Sequence, residues 1–116
     1  MTIESIRHFE NFHAHVYFDA DTTHQARTLC ARAGETFDLE VGRHHEKNVG
    51  PHPRWSCQLA FAQATFSELV TWLEDNRKEL TVFIHGLSGD DLADHTEHVA
   101  WLGEAVALNL DMFKRT

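Results

Sequence analysis

The residues best equipped for chemistry in this chain are its histidines, ten in 116 residues. Two of them lie in the stretch Phe12-His13-Ala14-His15-Val16-Tyr17-Phe18-Asp19. Its alternation puts Phe12, Ala14, Val16 and Phe18 on one face of a strand and His13, His15, Tyr17 and Asp19 on the other. Imidazoles at i and i+2 on one face sit about 7 Å apart along the strand, so their ring nitrogens can converge on one metal ion. The competing reading is a solvated outer face that carries two histidines. A third imidazole, His85, ends another alternating run, Val82-Phe83-Ile84-His85.

Other residues offer proton and anion chemistry. His52 lies in Val49-Gly50-Pro51-His52-Pro53, where flanking prolines stiffen the backbone and fix the direction of the ring. Rigid presentation suits a metal ligand or a general acid/base, although a plain turn residue is also consistent. Tyr17, Arg43 and Arg54 suit an acidic phenol or an amino-acid carboxylate, since guanidinium grips carboxylate bidentately. His95 and His98, three apart in a helical reading, face roughly one way. With Asp94 and Glu97 they form a second shell for a metal, a helical ligand pair or a half-exposed helix surface, the last being the favoured reading for His98. No phosphate loop, glycine fingerprint, His-Glu-x-x-His pair or nucleophile elbow is present.

The elements that must position these residues follow from periodicity. Residues 1–11 read as a short arm anchored by Ile3, Ile6 and Phe9. After the first strand, Asp21 or Thr22 offers a helix N-cap. Ala26, Leu29, Cys30 and Ala33 then recur at helical spacing up to Gly34, a natural C-cap. Phe37, Leu39 and Val41 alternate as a second strand. Residues 43–54 have no period and carry glycine and two prolines, the marks of a loop. Trp55, Cys57, Leu59 and Phe61 form a third strand. A second helix opens at Thr65 or Ser67 with the stripe Phe66, Leu69, Val70 and Leu73, and the 82–85 run is the fourth strand. Residues 90–102 read as a third helix with Leu92, His95, Val99 and Leu102 on one face. An irregular apolar tail follows and ends in Met112-Phe113-Lys114-Arg115.

That order, β-α-β-β-α-β with a C-terminal helix and tail, predicts one α+β domain over 1–116. The arrangement is a ferredoxin-like sandwich with a four-stranded antiparallel sheet and both crossover helices on one face. The first and fourth strands are then antiparallel neighbours, which brings His13 close to His85. Three imidazoles on one face suit Fe(II), Zn or another first-row divalent ion. The alternative is a polar face covered by the C-terminal helix or a partner subunit. A small open sheet face usually needs covering, which predicts a homodimer.

The totals narrow the function classes. A net charge of −8, with lysine and arginine scattered, excludes nucleic acid and an anionic membrane surface as partners. No apolar run approaches the ~20 residues of a membrane span, and the N-terminus lacks the basic start and apolar run of a signal peptide. Cys30 and Cys57 both fall at apolar positions, as expected of buried free thiols in a reducing cytoplasm.

Several stretches together resemble the small DOPA 4,5-dioxygenase family. They are the 12–19 strand, Gly50-Pro51-His52-Pro53, and Ile84-His85-Gly86-Leu87-Ser88-Gly89-Asp90-Asp91-Leu92-Ala93-Asp94-His95 through Trp101-Leu102-Gly103-Glu104. The similarity runs from about residue 10 to 113, and one departure is Gly86, where proline is expected after the histidine. The resemblance implies a non-haem Fe(II) extradiol dioxygenase that opens the ring of DOPA or a similar catechol with O2. It puts metal ligation among His13, His15, His52 and His85, with a non-ligating member as proton shuttle. A carboxylate from Glu97 or Glu104 is the alternative ligand. The candidate site is therefore His13, His15, His52 and His85 for the metal, His52, His95 and Tyr17 for catalysis, and Arg43 and Arg54 for substrate. A non-catalytic dimeric ferredoxin-like module and a zinc protein of other activity are the rival readings.

Overall fold

Strand β1 (Asn11–Phe18) runs through the middle of a five-stranded antiparallel sheet of order β2-β3-β1-β4-β5 in the computed structural model, which describes residues 2–113. Its neighbours are β3 (Trp55–Ala62) and β4 (Val82–Gly86), and His13 stands directly opposite His85. Helices α2 (Thr23–Thr36) and α3 (Gln63–Asn76) cover the face that carries Phe12, Ala14, Val16 and Phe18. Leu59, Phe66, Leu69 and Leu73 complete this core.

The sheet has five strands rather than the expected four. Helix α4 is only Asp91–Thr96, and β5 (Val99–Leu102) takes the remainder of the segment expected to be helical. The spacing of Leu92, His95, Val99 and Leu102 mimicked a helix face, but Leu92 is 41% exposed while Val99 and Leu102 are buried. The free backbone edge of β4 decides the matter, because Val99, Ala100, Trp101 and Leu102 pair with it residue by residue. Period two then holds. Ala100 and Leu102 join the main core, and Val99 and Trp101 pack with Tyr17 and Phe83 on the opposite face.

Other boundaries moved for local reasons. The N-terminal arm contains a short helix α1 (Ile3–Ile6), closed by a Thr2–Ser5 capping box. Helix α2 continues through Gly34 to Thr36, with Phe37 as the C-cap. Gly34 serves close approach rather than capping, since a Cβ there would lie 2.7 Å from Val41 Cγ2 and that side chain would have to shift. Thr22 holds the N-cap position without a side-chain cap; Asp19 instead accepts from the Asp21 and Thr22 amides and the Thr22 hydroxyl. Helix α3 begins at Gln63, earlier than Thr65 or Ser67. The Gln63 amide donates to the Glu10 carbonyl and its side chain to the Arg7 carbonyl, so the first turn needs no capping side chain. Strand β2 is Glu40–His45, shifted along from 37–41 with its register broken between Val41 and His44. Arg43, His44 and His45 thus belong to an edge strand, where polar residues are at home and periodicity is weak. The end of the expected tail, Lys114-Arg115, lies outside the described residues.

The face that carries the histidines is covered by the chain itself. Val106 and Leu108 pack on the Tyr17, Phe83 and Val99 cluster, and the Asn109 amide donates to the Pro51 carbonyl at 2.8 Å. This removes the argument that a bare sheet face requires a second copy. No helix among the described residues is long and apolar enough to cross a membrane.

Gly86 has its own explanation. Its amide donates to the His98 carbonyl at 2.9 Å, and a Cβ there would lie 2.4 Å from the Phe9 ring. Glycine therefore admits Phe9 beneath β4 and does not loosen the chain after His85. Gly86→Ala is expected to cost about 1–3 kcal/mol through overpacking, and Gly86→Pro more, because it also loses the donor. Urea unfolding checks both. If the clash with Phe9 is the cause, Phe9→Leu should recover part of the alanine penalty.

Candidate metal centre

Three of the four histidines expected to ligate come together. His13, His15 and His85 offer ring nitrogens that all lie within 4.8 Å of one another. The closest pair is His15 Nε2 and His85 Nε2, 3.1 Å apart and buried. His85 Nδ1 lies 3.1 Å from the Gly86 carbonyl, an acceptor, so Nδ1 carries the proton and Nε2 the lone pair. With metal–nitrogen bonds of about 2.1 Å, two ligands at right angles stand about 3.0 Å apart. The His15–His85 spacing fits that donor set without rearrangement. Without an ion, His15 Nε2–H donates to His85 Nε2.

His52 stands beside this trio. The turn that presents it closes through the His52 amide to the Val49 carbonyl at 3.1 Å, with Gly50 at φ 56°, a left-handed conformation that glycine adopts at little cost. Its ring centre lies 4.0 Å from that of His15, and its Nδ1 is 2.7 Å from the Tyr17 hydroxyl. His95 approaches from the other side, 4.4 Å from the His85 ring and stacked on Phe113. Its Nδ1–H donates to the Asp91 carbonyl at 2.7 Å, which leaves Nε2 with the lone pair. His98, expected to share a direction with His95, lies beyond the end of α4. It bonds Asp94 at 2.8 Å and packs on Phe9.

Burial keeps the central rings neutral, the form that binds metals. The cost of desolvating a cation is the chief cause at every one of them. It holds His85 down to about 3, reinforced by His95 and His13 and opposed by the Gly86 carbonyl and Asp94. His52 is held down to about 4, with His95, His45 and His13 adding to burial. His15, surrounded by His52, His85 and His13, lies well below the usual imidazole value, and His13 is lowered as well. Burial also pushes the Tyr17 phenol upward, against the pull of Arg54, so it keeps its proton.

These depressed values make a stability prediction for the metal-free protein. The unfolded chain takes up protons on these rings near the ordinary pKa of about 6.5, while the folded one resists until roughly pH 4 or below. Stability is full above pH 6.5 and falls as the pH drops through that window, because the unfolded state binds more protons there. The urea midpoint is expected to fall steeply between pH 7 and pH 4. A flat profile would contradict the burial of neutral imidazoles.

The two candidate arginines part company. Arg43 lines a cleft of about 240 Å³ with His15, His52, His45, Ser56 and Gln58. Arg54 lines a larger cleft of about 730 Å³ on the other side of Tyr17, with Asp19, Lys78 and Glu79. Glu97 and Glu104 are exposed, and no carboxylate joins the ligand group among the described residues. Asp94 was not expected to matter by itself. It is 2% exposed and accepts from the Ser88 amide and hydroxyl and from His98. Its i, i+4 spacing to His98 was the available signal.

Comparison with known proteins agrees with this architecture. A DOPA 4,5-dioxygenase of Amanita muscaria is 29% identical over 110 residues, covering 87% of this chain and 48% of its own length. A Botryotinia fuckeliana protein described only as an uncharacterized 21.2 kDa protein is 31% identical over 116 residues, covering 90% of this chain and 63% of its own. This chain thus spans about half to two thirds of those relatives. The crystal structure of a candidate dioxygenase from Nostoc punctiforme superposes with a TM-score of 0.86 at 40% identity, over 89% of this chain and 90% of that one. The model of the Dopa 4,5-dioxygenase family matches residues 12–112. With that match spanning most of its length, the chain belongs to the Dopa 4,5-dioxygenase family.

Proposed function

We propose that this protein is a metal-dependent extradiol dioxygenase that opens the ring of DOPA or a related catechol, with His13, His15 and His85 holding Fe(II). The observation that carries the reading is the convergence of three imidazoles, buried His15 and His85 and half-buried His13, on one patch of sheet. Bound Fe(II) would supply redox-active coordination for the catechol oxygens and O2. The chain's own residues do the rest. In the tautomer in which Tyr17 accepts from His52 Nδ1–H, the lone pair of His52 is on Nε2, ready to take a catechol proton. Because the ring is held down to about 4, it gives that proton up again easily. His95 Nε2 is a second proton acceptor at the opposite edge. Arg43, in the cleft beside His15 and His52, grips the substrate carboxylate, and Arg54 beyond Tyr17 is the alternative clamp. A cytoplasmic location belongs to the same proposal, and the free, buried Cys30 and Cys57 are in keeping with that compartment.

The test is direct. Protein loaded anaerobically with Fe(II) and then given L-DOPA and air is expected to consume O2 and form a yellow ring-opened product. Iron-loaded protein that gives neither colour nor O2 uptake with a broad panel of catechols would overturn the reading.

A further inference from the structure

We propose that the substrate of this centre is a single-ring catechol bearing a carboxylate and no ammonium group, with Arg43 taking that carboxylate. The inference rests on the metal-centre and dioxygenase reading above and narrows its substrate. A cleft lies on either side of the hydrogen bond between Tyr17 and His52, with Tyr17 lining one and His52 the other. The smaller, of about 240 Å³, is lined by His15 and His52 together with Arg43, His45, Ser56 and Gln58. The larger, of about 730 Å³, holds Asp19, Arg54, Lys78 and Glu79, and no histidine lines it among the described residues. A ring seated against His15 and His52 therefore extends its side chain into the smaller cleft. A cavity of about 150 Å³ is enough for benzene, so about 240 Å³ suits one ring with a short side chain.

The charges on the two walls differ. The chain carries 18 acidic and 10 basic residues, so a wall with a guanidinium and no acid runs against its average. In the smaller cleft Arg43 is that guanidinium, and no aspartate or glutamate lines it among the described residues. The acids nearest to Arg43 in sequence are engaged elsewhere. Glu46 accepts from the Thr23 hydroxyl on α2 at 2.8 Å, and Glu40 lines a separate cleft with Leu87. Arg43 lies within the register break of β2 between Val41 and His44, and such breaks re-aim a side chain at a sheet edge. Among the described residues it forms no ion pair with the chain's own acids. An unpaired guanidinium takes a carboxylate bidentately, while Ser56, 2% exposed, and Gln58 add neutral hydrogen-bonding groups. An ammonium group beside that carboxylate would meet a like charge and no partner. The larger cleft, with both signs, suits a zwitterion, but none of the metal ligands lines it.

Three catechols separate the charges: L-DOPA, the dihydroxyphenylpropanoate that lacks its amino group, and dopamine, which lacks its carboxylate. Calorimetry on the Zn(II)-loaded protein reads their dissociation constants without turnover. Dihydroxyphenylpropanoate is expected to bind about tenfold more tightly than L-DOPA, whose ammonium group meets the guanidinium. Its advantage over dopamine should be about 10–100-fold, the range for hydrogen bonds to a charged group. Arg43→Gln, at an exposed position of an edge strand, should abolish most of the difference between dihydroxyphenylpropanoate and dopamine. Arg54→Gln should leave the wild-type order and ratios in place. L-DOPA or dopamine bound at least as tightly as dihydroxyphenylpropanoate, or a preference that survives Arg43→Gln, overturns the inference while the metal centre stands. Protein that takes up no Zn(II), or that binds none of the three catechols once loaded, overturns the dioxygenase reading itself, and this inference with it.

Discussion

His15→Ala is expected to empty the metal centre and take ring cleavage to background, while the chain still folds. His15 is 4% exposed, its Nε2 is 3.1 Å from His85 Nε2, and its ring is flanked by His13, His52 and Phe83. Losing a residue that merely supports a ligand costs about 10–100-fold in metal affinity. Losing the central ligand of three should cost at least on the order of a hundredfold, since two imidazoles keep neither the geometry nor the donor count. The fold should survive because the other face of β1, with Phe12, Ala14, Val16 and Phe18, carries the main core. Metal content after dialysis and O2 uptake with a catechol measure the two consequences. The matching substitution at exposed His24 should change neither. His15→Ala protein that retains stoichiometric metal would remove His15 from the site and with it the basis of the proposed function.

The sequence made β1 legible because both of its faces have a purpose. One face is apolar for the core and the other is chemical, and strict alternation records both. The pairing of His13 with His85 followed from topology alone, since adjacent antiparallel first and fourth strands can meet only at those ends. The edges were harder to read. Strand β2 is largely exposed, so no buried face imposes a period on Arg43, His44 and His45, and they look like loop. Residues 99–102 failed in the opposite way: their apolar residues also satisfy helical spacing, and only the unpaired edge of β4 selects strand. Asp94 was legible only as one of the residues grouped with His95 and His98, because an acidic residue on a helix usually faces water. Its burial depends on Ser88 folding back from the preceding turn, a contact with no periodic trace.

The role of Tyr17 is the sharpest remaining test of the catalytic reading. Its hydroxyl is 2.7 Å from His52 Nδ1 while its ring packs with Phe83 and Trp101, so Tyr17→Phe removes one hydrogen bond and leaves the packing. If His52 moves the catechol proton and Tyr17 sets its tautomer and direction, the two act as one unit. General acid–base groups contribute about 10²–10⁴-fold, so His52→Ala is expected to lower kcat within that range with iron still bound. Tyr17→Phe should lower it in the same direction by a smaller factor. Effects within a unit do not add, so the double variant should be little slower than His52→Ala alone. Two independent roles would instead multiply. Single-turnover rates of the four proteins at equal iron content separate these outcomes, and a multiplicative result would detach Tyr17 from His52 and assign the phenol to the substrate.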